Sequence, residues 1–169
     1  MDKEYYRGRL DACKDIPDVF ELVKETVLRI TGMQRGGLML ALTNLGADPG
    51  GFVGAYYPLA SNIIVMNSIP LTRIKESNPL LYRPYLFHIL LHEYLHSLGM
   101  TDEGATRTKV YGICRQVFGE DHPVTKIAED ISRFIPQLIQ APQDWTPPED
   151  AGLQLVKGFD RSSTDGYIS

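Results

Sequence analysis

The segment from Pro84 to Gly99 is apolar on nearly every side, with Leu86, Phe87, Ile89, Leu90, Leu91, Leu95 and Leu98 leaving it no solvent face. A helix of that composition is stable only where other elements cover it, so the segment predicts a buried helix at the centre of the fold. Pro84 suits the first turn, where its missing N–H costs no hydrogen bond, and Gly99 suits the stop. The strongly polar residues form a single stripe of His88, His92, Glu93 and His96. Buried imidazoles and carboxylates need partners, so a core helix gains nothing from this stripe unless the residues share a task.

The flanking sequence supplies the elements that would cover such a helix. Val19, Phe20, Val23, Val27 and Ile30 recur at three and four between Ile16 and Ile30, which predicts an amphipathic helix capped by Gly32. Short runs then read as strands: 37–43, 52–57 and 62–67, the last two close enough for a hairpin. A connector rich in Leu and Pro leads into the apolar helix. Thr101 or Asp102 starts a further helix that Gly119 stops, and it carries Thr106, Val110, Ile113, Cys114, Val117 and Phe118 on one face. Another helix opens near Asp121 and Pro123 and runs toward Leu138, with Pro136 kinking or ending it. Residues 1–140 are expected to form one domain. Residues 141–169, with Pro142, Pro147 and Pro148 and few apolar positions, read as a C-terminal tail with little structure of its own.

Charge narrows the function classes. Lys and Arg total 17 against 21 Asp and Glu, a formal net charge of −4, so no basic field favours nucleic acid or an anionic membrane. Cys13 and Cys114 fit neither a disulfide framework nor a CxxC motif. No apolar run approaches the ~20 residues of a membrane span, and the first residues lack the apolar core of a signal peptide. A cytoplasmic protein is expected.

The chemistry lies in His92-Glu93-Tyr94-Leu95-His96-Ser97-Leu98-Gly99-Met100-Thr101-Asp102-Glu103. Histidines four apart on a helix project from one face, with Cβ atoms about 5–6 Å apart, and can close on one ion. Glu93 sits at the rim of that face, placed to accept a proton without being a ligand. Gly99 allows a sharp turn that can swing Asp102 back as an oxygen ligand, and two His plus one carboxylate leave a zinc ion one open position. Asp102 has a rival role as the N-cap of the next helix, and Glu103 is its competitor for the third ligand position.

His92, Glu93, His96, Gly99 and Asp102, spaced as HExxHxxGxxD, resemble the zinc signature of the zincin metallopeptidases, with the metzincin-type spacing and Asp in place of the last His. No Met follows Met100, so the likeness is to the small minimal zincins rather than to full metzincins with a Met-turn. The resemblance implies an α+β, zincin-like fold, with a small three- or four-stranded sheet packed on the HExxH helix and additional helices. It implies one zinc ion per chain on His92, His96 and Asp102, and hydrolysis of peptide bonds through a metal-activated water with Glu93 as general base. A peptide or protein substrate would then lie extended along the sheet edge, which the resemblance puts at the 62–67 strand, and the tail could fold over the cleft. The alternative is a metal-binding protein that holds peptides on the same scaffold without turnover. His88 reads as a cleft residue, His122 as part of a helix-start turn, and Tyr56, Tyr57, Tyr94 and Arg107 as candidate substrate contacts.

Overall fold

The computed structural model describes residues 1–47, 52–134 and 152–161. The chain is α+β. Helix α1 (Lys3–Ala12) and helix α2 (Ile16–Thr31) precede strands β1 (Met39–Thr43), β2 (Ala55–Tyr56) and β3 (Ile63–Asn67). Helices α3 (Ser68–Ser77), α4 (Tyr82–Ser97), α5 (Glu103–Phe118) and α6 (Pro123–Glu129) follow, and β4 (Gln154–Leu155) closes the described chain.

Helix α4 is the axis of the molecule, touching α1, α2, α3, α5, α6 and β2. Its apolar circumference explains this, because Leu86, Phe87, Leu90, Leu91 and Leu95 are each at most 1% exposed. Aromatic edges lock the neighbours onto it: Phe20 of α2 meets Tyr94 at 5.4 Å between ring centroids, and Phe118 of α5 meets Phe87 at 4.9 Å. Side chains cap the helix starts, with Asp2 accepting from Tyr5 N, Asp15 from Asp18 N and Asn67 from Ile69 N. Cys13 and Cys114 are buried free thiols.

Among the described residues the sheet is four-stranded, in the order β2-β3-β1-β4. β1 and β3 run parallel with Leu40 opposite Ile64, whereas β2 on β3 and β4 on β1 are antiparallel. This order corrects the expected sheet edge. The 62–67 strand is interior, and its nearly continuous apolar run, Ile63-Ile64-Val65-Met66, is what a strand with two neighbours requires. The edge is the two-residue β2, too short to offer other chains a long unpaired ladder.

Further differences concern segments to which the sequence assigns no element, or less structure than they have. Residues 3–12 and 68–77 are helical; Pro70 stands in the first turn of α3, where a missing N–H is harmless. Helix α6 ends at Glu129, short of Leu138, because the Asp130 carboxylate accepts from Ser132 N at 3.0 Å and turns the chain into a 3-10 segment; residues 135–138 lie outside the described residues. In the tail, β4 pairs with β1, and Val156 N donates to Leu40 O at 2.9 Å. Phe159 stacks on Phe20 at 4.0 Å, and the buried Asp160 carboxylate accepts from Lys24 Nζ and from Leu38 N. Those two side chains, diluted among Pro, Ser and Gly in the sequence, hold this strap in place. Residues 141–151 and 162–169 of the tail fall outside the described residues. Among the described residues no helix is long and apolar enough to cross a membrane.

Candidate metal centre

Helix α4 ends in a turn that sets the geometry of the site. Met100 N donates to Leu95 O at 3.2 Å and Gly99 N to His96 O at 3.0 Å, with Gly99 at φ 107°, the paired bonds of a Schellman stop. The turn points the Met100 carbonyl back at the helix, and His96 Nδ1 lies 2.6 Å from it. A carbonyl only accepts, so Nδ1 carries a proton, and in the neutral ring Nε2 keeps its lone pair. Fixing one ring nitrogen in this way orients the other for a ligand.

His92 and His96 then stand one turn apart with their Nε2 atoms 3.1 Å from one another. The first residue of α5 completes the group. Glu103 Oε1 lies 2.6 Å from His92 Nε2, and Oε2 lies 3.1 Å from His96 Nε2. One donor atom from each of His92, His96 and Glu103 falls within 4.8 Å of the others. Asp102, expected as the third ligand, is outside this group: its Oδ2 accepts from Ala105 N at 3.3 Å and caps α5. The cap is what starts α5 at Glu103 and turns that side chain toward α4.

The electrostatics suit an ion. Burial keeps His92 below its ordinary value, with the Glu103 charge opposing it, so the neutral ring that a ligand requires is the favoured form. Partial burial works to raise Glu103, but the imidazoles of His92 and His96 outweigh it and hold its carboxylate below the usual range. Glu93 is 4% exposed, and its Oε2 is buried with no hydrogen-bond partner among the described residues. Burial pushes its carboxyl up to about 7, against the pull of His96 and with a push from Glu103. Two imidazoles and a carboxylate form a donor set that could hold a metal ion, with the Glu93 carboxyl beside it.

His92, Glu93 and Glu103 line a cleft of about 440 Å³. One wall is α4, with His88, Ile89, His92 and Glu93. The facing wall comes from Gly54 and Ala55 of the edge strand and its approach, and the far end from α6 and the turn after it, including Ile127 and Ile131. No periodicity or motif marks the α6 residues as cleft residues; only the packing of α6 on α4 brings them there. The described part of the tail sits at the β1 edge, across the sheet from β2 and the cleft.

Of the other candidates, Tyr57 and Tyr94 are engaged elsewhere. Arg35 Nη1 donates to Tyr57 Oη at 2.7 Å, and Arg35 N donates to Tyr94 Oη at 2.9 Å. Arg107 lines the cleft but is largely exposed, 3.8 Å from Glu103 Oε1. Tyr56 lies exposed on the edge strand. His122 caps α6, accepting at Nδ1 from Val124 N, and stacks on Phe118. No protein-family model, curated protein or solved structure matches this chain.

Proposed function

We propose that this chain is a zinc-dependent metallopeptidase of the minimal zincin kind, with His92, His96 and Glu103 as the metal ligands and Glu93 as general base. The observation that carries the reading is the meeting of Glu103 with both Nε2 atoms beside a cleft that also contains Glu93, a buried carboxylate with one oxygen unpartnered among the described residues. A structural carboxylate at that depth would be paired.

A zinc ion, when bound, supplies charge that polarises a carbonyl and makes a neighbouring water more acidic. The remaining work belongs to the chain. Glu93 takes a proton from a water in the cleft as that water adds to the substrate carbonyl carbon. As the C–N bond breaks, Glu93 returns the proton to the leaving amine, so water is consumed and the carboxyl ends as it began. A value near 7 suits both roles, since the same group must accept and donate at neutral pH. Val53, Gly54 and Ala55 line the cleft at the β2 edge of the sheet, so a short stretch of extended substrate can pair there main chain to main chain.

The test combines metal content with turnover. Purified protein should hold close to one zinc per chain by elemental mass spectrometry, and the His92→Ala, His96→Ala double variant should hold none. The zinc-loaded protein should cleave members of a peptide library, and Glu93→Gln should keep the zinc while losing cleavage. Zinc retained with no cleavage by the unaltered chain would replace this reading with that of a non-catalytic peptide-binding protein.

A further inference from the structure

His88 lies one turn before His92 on α4, with ring centroids 6.5 Å apart, and it lines the same cleft. The ring's Nδ1 is buried and has no hydrogen-bond partner among the described residues. A neutral imidazole carries one N–H, and stranding it at a dry, partnerless position is costly, whereas an unfilled lone pair there is better tolerated. The proton therefore belongs on Nε2, the ring nitrogen that can reach the cleft. Enclosure also keeps the ring uncharged, its value well below that of an ordinary histidine.

The facing wall is close. A Cβ on Gly54 would stand 2.9 Å from both Tyr85 Oη and Ile89 Cδ1, so the main chain entering β2 rests on α4 across residues 85–89, beside His88. The other donors considered for the cleft are spent or misplaced. Tyr57 and Tyr94 are bound to Arg35, Tyr85 is fully buried beneath Gly54, and Arg107 is 74% exposed at the rim beside Glu103.

Resting on the peptidase reading, we infer that His88 is a further catalytic residue: its Nε2–H donates to the substrate carbonyl oxygen and stabilises the negative charge that gathers there as water adds. The donor is neutral in both states, so it neither repels the metal nor competes with Glu93 for a proton. Its benefit grows with the charge on the oxygen, which is the condition for accelerating the step rather than tightening binding.

The zinc-loaded protein, His88→Phe and His88→Gln should be compared on one cleaved peptide, with zinc content and melting temperature measured on each. Loss of a donor of this kind costs about 100-fold in kcat, so His88→Phe should fall by that order with zinc content and KM little changed. His88→Gln, which restores an N–H, should recover part of the loss. Nitrogen-15 NMR of the imidazoles in the zinc-free protein at pH 7 should show His88 neutral and protonated at Nε2. Undiminished turnover by His88→Phe, or a His88 that is charged or protonated at Nδ1, overturns the role while leaving the peptidase reading intact. Zinc binding without turnover by the unaltered chain overturns both.

Discussion

Glu103 Oε1 lies 2.6 Å from His92 Nε2, so the first residue of one helix reaches the middle of another. The contact depends on the residue before it, since Asp102 spends its carboxylate on the Ala105 amide and so fixes where α5 begins. Two adjacent acids therefore divide two tasks.

That division predicts different outcomes for similar substitutions. Glu103→Gln should weaken zinc binding by more than the roughly 10–100-fold typical of an outer partner, measured by competition with a chromophoric chelator. Asp102→Ala should leave zinc affinity within a few-fold and lower stability by about 1 kcal/mol, the usual cost of a lost N-cap. The opposite ranking would make Asp102 the ligand.

Gly99 is the second test of how the site is held. A Cβ there would meet no atom of the described residues within 4 Å, so the cost of Gly99→Ala lies in the backbone at φ 107°. That cost is about 1–2 kcal/mol in the unfolding free energy. Displacing the Met100 carbonyl should also release the His96 ring and weaken zinc binding about tenfold. Unchanged zinc affinity in a destabilised variant would show that the turn does not orient His96.

Burial of Glu93 makes the metal-free protein pH-sensitive. The folded value is about 7 against 4.5 for the free side chain, so the folded state holds the proton more tightly than the unfolded state does. This contribution is present in full below about pH 4.5 and is lost as the pH rises through about 7. Glu93→Gln should therefore be more stable than the unaltered chain above pH 7. The gain is a few kcal/mol at most, at about 1.4 kcal/mol for each pH unit separating the two values. Urea titrations at pH 5 and pH 8 measure it; equal stability of the two proteins at pH 8 would mean that Glu93 is not held in a desolvated site.

The sequence was readable where local rules and tertiary needs agree. Gly99 follows the end of α4, Gly32 ends α2, and Gly119 ends α5, because each stop is a backbone requirement met by one residue, whereas α4 starts at Tyr82, two residues before Pro84, which stands within its first turn. Helix α1 escaped notice because Tyr6 and Leu10 are its only buried side chains, too few to establish a period. The lateral order of the strands has no local signature, so the interior place of β3 emerged only from its pairing with both β1 and β2. At the site, HExxH located the two imidazoles. Asp102 and Glu103 could not be separated by spacing alone, because an acid at the start of a helix serves equally as cap or ligand. Phe159 and Asp160 were missed for a different reason: their partners, Phe20 and Lys24, lie at the other end of the chain.

The strap formed by those two residues should be structural. Asp160→Ala removes one half of a buried ion pair with Lys24 and the acceptor for Leu38 N, and should cost roughly 3 kcal/mol, seen as a lower urea midpoint. Deleting the chain after Gln140 should likewise destabilise the protein. An increase in peptidase activity with stability unchanged would instead identify the tail as a lid.

The strap also gives the fold an order in time. His92, His96 and Glu103 leave the ribosome almost together, so the candidate centre is assembled from one short stretch of newly made chain. Leu38 waits 122 residues for Asp160. At about 5–20 residues per second, that is on the order of ten seconds in which the outer edge of β1 has no strand beside it. During each round of synthesis the nascent chain thus presents an open edge to its neighbours on the polysome, and crowded expression is where this protein is most exposed to pairing with the wrong strand.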